Sequence, residues 1–120
     1  MTNLAAILLA ALITVESSGN DKAVDPAGRS WGCLQETAIY IEDVNRIYGT
    51  HFSAADAFRR QTAVVIYQLY MRHYATPARL GRHVTVQDIA RIHHGGPDGW
   101  RDPKTLKYWY KVRREMTRAL

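Results

Sequence analysis

The chain has 120 residues, enough for one domain and little more, and its 47% hydrophobic and 22% charged residues match globular proteins, which excludes wholesale disorder, collagen-like repeats and a multi-span membrane protein. Its one cysteine, Cys33, cannot close an internal disulfide, so stability must come from packing. The net charge of +5 invites a nucleic-acid reading, but residues 101–120 carry the whole excess, with seven Lys and Arg against only Asp102 and Glu115.

In chain order, Leu4 to Val15 is apolar apart from Thr14 and too short to span a bilayer. Met1-Thr2-Asn3 lacks the positive charge expected ahead of a signal core, and no small-x-small cleavage site follows, so a helix ended by Gly19 or Asn20 is expected. Residues 18–31, dense in Gly, Asp, Asn, Ser and Pro, read as a loop. Ala38, Ile39, Ile41, Val44, Ile47 and Tyr48 recur at helical intervals up to Gly49. Ser53 with Asp56 resembles a helix start, and the apolar spacing continues to about Tyr74, with Pro77 forcing a break. Thr85 with Asp88 suggests a further helix that Gly95-Gly96-Pro97 ends, and Asp102-Pro103 opens a last one reaching toward Met116. Every periodic segment is helical, including the one holding Val64-Val65-Ile66. The expectation is a compact, single-domain, all-α fold over residues 1–120.

Glu16 is the most informative charge. It falls in the last turn of an apolar helix, where the dipole disfavours a carboxylate, and both effects push its pKa toward that of a general acid. A solvated helix-end glutamate is the plainer alternative.

Four blocks place Glu16 in a wider pattern. Ala11-Leu12-Ile13-x-Val15-Glu16-Ser17-Ser18-Gly19-Asn20 with Ala23-Val24-Asp25-Pro26-Ala27-Gly28, then Trp31-Gly32-Cys33-Leu34-Gln35, resemble the catalytic-helix and Gly-Leu-Met-Gln segments of soluble lytic transglycosylases and goose-type lysozymes, within the lysozyme-like superfamily. Ala90-Arg91-Ile92-His93-His94-Gly95-Gly96-Pro97 and Thr105-x-x-Tyr108-x-x-Lys111-Val112 are similar to that family's later Gly-Pro and closing segments, in the same order.

The resemblance implies cleavage of the β-1,4 bond between N-acetylmuramic acid and N-acetylglucosamine in peptidoglycan, by a monomer, without cofactor or metal, membrane insertion or nucleic acid. Glu16 would be the acid. In the transglycosylases one glutamate makes both proton transfers and the sugar's C6 hydroxyl attacks; goose-type lysozymes admit water with the help of aspartates. Asp25 is the candidate second carboxylate, with an Asx turn before Pro26 as its alternative. Asp21 and Glu36 are weaker candidates, and the balance leans toward a Glu-only mechanism. Ser17 would bond near the acid, Gln35 would line the sugar groove, and Gly32 would let backbone approach substrate closely. Cys33 reads as a small buried hydrophobe. His93-His94 stands in place of the usual Tyr-Asn, which would make the site sensitive to mildly acidic pH. Adjacent helical histidines point about 100° apart, which argues against a shared metal. Tyr108 would sit close to the acid, or else pack the last helix on the core.

Two readings from other classes remain: a small basic helical nucleic-acid-binding module, and an inactive lysozyme-fold glycan binder. A wall-degrading enzyme without a clear export signal is expected in phage lysis, where a separate pore releases it, or within a larger secreted assembly. Its basic terminal segment would then favour the polyanionic wall.

Overall fold

The computed structural model describes residues 3–120; Met1 and Thr2, part of the uncharged start used to argue against a signal core, lie outside the described residues. Among the described residues no helix is long and apolar enough to cross a membrane. The fold is helical, with one very small sheet.

Helix α1 (Leu4–Ser17) starts where the Asn3 side chain accepts hydrogen bonds from the Ala5 and Ala6 amides. It buries Leu8, Ala11, Leu12 and Ile13, and its exposed side is largely alanine, which favours a helix while presenting little apolar area. Ser18 and Gly19 both turn left-handed and end it, Gly19 as expected.

The loop that follows contains structure that no sequence period announces. Strand β1 (Ser30–Trp31) pairs antiparallel with β2 (Glu36–Thr37), Ser30 opposite Thr37 and Trp31 opposite Glu36, and Val24 bridges to Trp31 from the other side. Two-residue strands are too short to show alternation. Helix α2 (Ala38–Tyr48) is capped by the Thr37 side chain and closed by a left-handed Gly49, where its period ends.

The segment expected as one helix from Ser53 is two. The Ser53–Asp56 capping box opens α3 (Ala54–Ala57), the chain leaves helical geometry at Phe58, and α4 (Arg60–Tyr74) resumes. At the break the Thr62 hydroxyl lies 2.9 Å from the Asp56 carbonyl and 3.2 Å from that of Arg59, both of which also accept backbone amides, from Arg59 and Ala63. Pro77 does more than break the chain: with Thr76 as cap it starts the short α5 (Pro77–Leu80). Helix α6 (Val86–Gly95) has the Thr85–Asp88 capping box, and the buried Asp88 is also held by both terminal nitrogens of Arg82. A 3-10 turn over Gly99–Arg101 precedes another, Pro103–Thr105, which Asp102 caps and which runs directly into α7 (Leu106–Arg118).

The chain divides into two compact units: Glu16–Tyr70, and the N-terminal segment through Val15 together with Met71–Leu120. In the Glu16–Tyr70 unit, Leu34, Val44, Ala57, Ala63 and Ile66 are fully buried, and Tyr40 stacks on Tyr70 with ring centroids 3.8 Å apart. In the other unit α6 packs on α7 and on the Gly99–Arg101 turn, with Ile92 and Val112 fully buried.

One contact in the Glu16–Tyr70 unit tolerates no side chain. Gly32 has φ of +81°, and a Cβ on it would overlap the Ala57 carbonyl at the end of α3. The close backbone approach expected at this glycine is therefore made to the protein's own chain. We expect Gly32→Ala to lower stability by about 2–4 kcal/mol in urea unfolding, more than left-handed strain alone would cost. An effect below about 1 kcal/mol would show that α3 can move away freely.

Candidate active site

The loop joining α1 to α2 is cross-braced from several sides. The Ser17 hydroxyl donates to the Cys33 carbonyl at 2.8 Å, tying the last turn of α1 to the Gly32–Leu34 bend. Arg60, at the start of α4, donates to the Asp21 carboxylate at 2.7 Å and to the Gly19 carbonyl at 2.6 Å. Gln35, itself left-handed, uses its amide nitrogen on the Ala23 and Gly32 carbonyls at 3.1 and 3.0 Å, and its oxygen accepts from the Ser30 hydroxyl. Its side chain thus holds the loop's shape, a supporting role. Asp21, a plain loop residue by sequence, is an anchor for Arg60, and Arg60 is a residue that sequence reasoning missed.

Glu16 occupies the final turn of α1, half-buried and immediately before the Ser17 brace. Its backbone is fixed both by the helix and by the hydrogen bond one residue on. Asp25 sits on the turn between the Val24–Trp31 bridge partners. Its carboxylate accepts from the backbone amides of Arg29 and Ser30, the latter at 2.8 Å, while its carbonyl accepts from Gly28. These amide bonds, that from Ser30 foremost, hold the Asp25 carboxyl below the usual carboxylate range although partial burial works the other way. The Asx turn is therefore present, and the same geometry keeps a solvent-accessible carboxylate ionised.

Two neighbouring groups are buried instead. Burial pushes the Cys33 thiol up to about 11, partly opposed by Arg60, so it behaves as an inert hydrophobe. Glu36 is 0% exposed, and neither carboxyl oxygen has a hydrogen-bond partner among the described residues. Burial pushes its pKa well above the usual glutamate value.

In the other unit His93 is buried on α6, while His94 is exposed and stacks on the buried Tyr108 of α7 with centroids 4.1 Å apart and planes 9° from parallel. The two histidines thus diverge, as their helical spacing requires. The Gly-Pro block is a tight knot. Arg91 donates to the Thr105 hydroxyl at 2.7 Å and to the Asp102 carbonyl at 3.0 Å, and a Cβ on Gly99 would overlap the Arg91 carbonyl. Among the described residues no three His, Cys, Asp or Glu side chains are grouped as a metal site would need. On α7, Trp109, Val112 and Met116 face inward, and Lys107, Lys111, Arg114 and Arg118 follow at intervals of four, three and four residues along the exposed side.

The buried carboxyl yields a pH test. Below about pH 4.5, the ordinary glutamate value, Glu36 is neutral in both folded and unfolded chains; above it the unfolded chain ionises first, so its contribution to native stability falls as pH rises toward the folded-state value. Replacing it with a similar-sized apolar residue, Glu36→Met, should stabilise the protein by about 2 kcal/mol near neutral pH, with the gain shrinking toward pH 4. A gain independent of pH between about 4 and 8 would mean that the native carboxyl ionises normally.

Comparison with known proteins agrees with this architecture. No family model matches the chain. It is 37% identical over 86 residues to a Magallana gigas lysozyme, covering 72% of this chain and 60% of that protein, and 32% identical over 90 residues to an Ostrea edulis lysozyme, covering 73% and 63%. The matches thus span somewhat under two thirds of these relatives' length. A shorter match, 45% over 42 residues, covers 35% of this chain and 29% of an invertebrate-type lysozyme of Ruditapes philippinarum. A chain in the crystal structure of Aeromonas hydrophila PliI in complex with Meretrix lusoria lysozyme superposes with a TM-score of 0.76 at 26% identity, covering 90% of this chain and 87% of its own. Tapes japonica lysozyme superposes at 0.75 with 23% identity, over 90% and 87% of the two chains. None of the three curated relatives is named a transglycosylase or goose-type lysozyme.

Proposed function

We propose that this chain, whose fold is lysozyme-like, is a muramidase that hydrolyses the β-1,4 bond between N-acetylmuramic acid and N-acetylglucosamine in peptidoglycan. The observation that carries the reading is the pair of differently treated carboxyls on one braced frame, Glu16 half-buried at a helix end and Asp25 held ionised by backbone amides. Glycoside hydrolysis calls for two carboxyls in different roles: a protonated acid for the leaving oxygen, assigned to Glu16, and a carboxylate against which an oxocarbenium-like centre develops, assigned to Asp25.

In this reading Glu16 delivers a proton to the bridging oxygen as the bond to C1 breaks. Asp25 supplies the compensating negative charge. Water adds to C1 and returns a proton to the enzyme, leaving a new reducing end. Ser17, Gly32 and Gln35 support the frame. The exposed cations of α7 aid retention on a polyanionic wall. The lysozyme names of the relatives favour hydrolysis over attack by the sugar's own C6 hydroxyl.

Glu16→Gln should lose activity on purified cell wall by about a thousandfold while retaining its unfolding midpoint. An active Glu16→Gln protein would end the assignment. Asp25→Asn keeps an oxygen for the Arg29 and Ser30 amides but loses the charge, and should fall by about a hundredfold. Mass analysis of the products provides the independent check: reducing ends are expected. Largely unimpaired Asp25→Asn activity together with 1,6-anhydro ends would point instead to Glu16 acting alone.

A further inference from the structure

Beside the Asp25 turn lies an open cleft of about 430 Å³ lined by Gly28, Arg29, Trp31, Thr37, Ala38 and Ile39, within the size range of small-molecule sites. Its lining is mainly apolar. Ile39 is 79% exposed there, unusual for a residue of its size at the start of a helix, and Trp31 is fixed between Val24 and Glu36 by pairing on both sides. The Arg29 side chain makes no hydrogen bond or ion pair among the described residues, although its backbone amide binds Asp25. Thr37, also in the lining, already uses its oxygen to cap α2.

We propose that this cleft seats the acidic stem peptide of peptidoglycan, its alanyl methyl groups against Trp31 and Ile39 and a free carboxylate on the Arg29 guanidinium. The inference rests on the muramidase reading and specifies the substrate further: a peptide-bearing glycan rather than a bare one. Three features select this occupant. A sugar ring presents several hydroxyls that need acceptors as well as donors, and no lining side chain is a carboxylate or amide. The stem peptide instead places methyl groups next to carboxylates, which suits an apolar wall with one cation. A planar guanidinium binds a carboxylate through two parallel hydrogen bonds. The cleft also adjoins the candidate site in the chain, since Gly28 and Arg29, which line it, belong to the turn whose backbone amides hold the Asp25 carboxylate.

The experiment titrates the full chain with a disaccharide carrying its stem peptide and with the same disaccharide lacking it, following the Trp31 indole N–H and Ile39 methyl resonances. The expected result is that only the peptide-bearing ligand shifts these signals, and that Arg29→Gln and Ile39→Ser each weaken its binding about tenfold. Equal shifts with both ligands would replace the proposal with a sugar subsite. No shift with either would discard it. Cleavage is read separately, on intact wall and on glycan strands stripped of peptide by an amidase. Ile39→Ser should raise KM on intact wall and leave stripped strands unaffected; an equal effect on both substrates would overturn the proposal. If the parent chain cleaves neither substrate, the muramidase reading fails, while stem-peptide binding still stands or falls on the titration.

Discussion

The contact on which the candidate site depends is a backbone against a backbone: Gly32 pressed onto the Ala57 carbonyl, with no room for a Cβ. It brings the bend after β1 to the end of α3, where the helix is interrupted before α4 begins. The neighbouring residues extend that fixed point outward. Cys33 offers its carbonyl to Ser17 beside Glu16, and Gln35 ties the bend back to Ala23. Ser30, which bonds both Gln35 and the Asp25 carboxylate, completes the path from bend to turn. A loop of this length without such bracing would hold two carboxyls in many relative positions, and acid–base chemistry tolerates little misplacement.

Most of the bracing uses the backbone and short polar side chains rather than a large core. That suits a chain with one cysteine, buried and inert, and no disulfide to fix the loop. Arg60 adds a partly exposed ion pair with Asp21. Such a pair contributes little energy in water. Its geometric effect is larger, because the same guanidinium holds the Gly19 carbonyl just beyond α1.

The helices were readable because their signals are local. Ser53, Thr85 and Asp102 stand at real starts, and Gly19, Gly49 and Gly96 at real stops. Three features were not readable, each for a nonlocal or short-range reason. The β1–β2 pair is two residues long on each side; the break at Phe58 lies beside a backbone contact with Gly32, over twenty positions away; and α5 fits within four residues. Within the site, Glu16 and Asp25 could be singled out from residue type and motif. The brace from Arg60 could not, because nothing near Arg60 in sequence marks Gly19 or Asp21 as its partners. Gln35 shows the converse: its motif pointed to the sugar groove, while its amide bonds show how it shapes the loop.

Asp25 and Glu36 show how far local environment outweighs residue type. They lie in the same unit, eleven positions apart, one kept ionised by amide donors and the other buried with no hydrogen-bond partner among the described residues. Glu36 sits opposite Trp31 in the small sheet, and Trp31 is bridged to Val24 at the base of the Asp25 turn. Ionising Glu36 would therefore place an unpaired charge beneath the element that carries Asp25, whereas the role proposed for Asp25 requires its charged form. Rising pH acts on the two in opposite ways, preserving the charge at Asp25 while weakening its support.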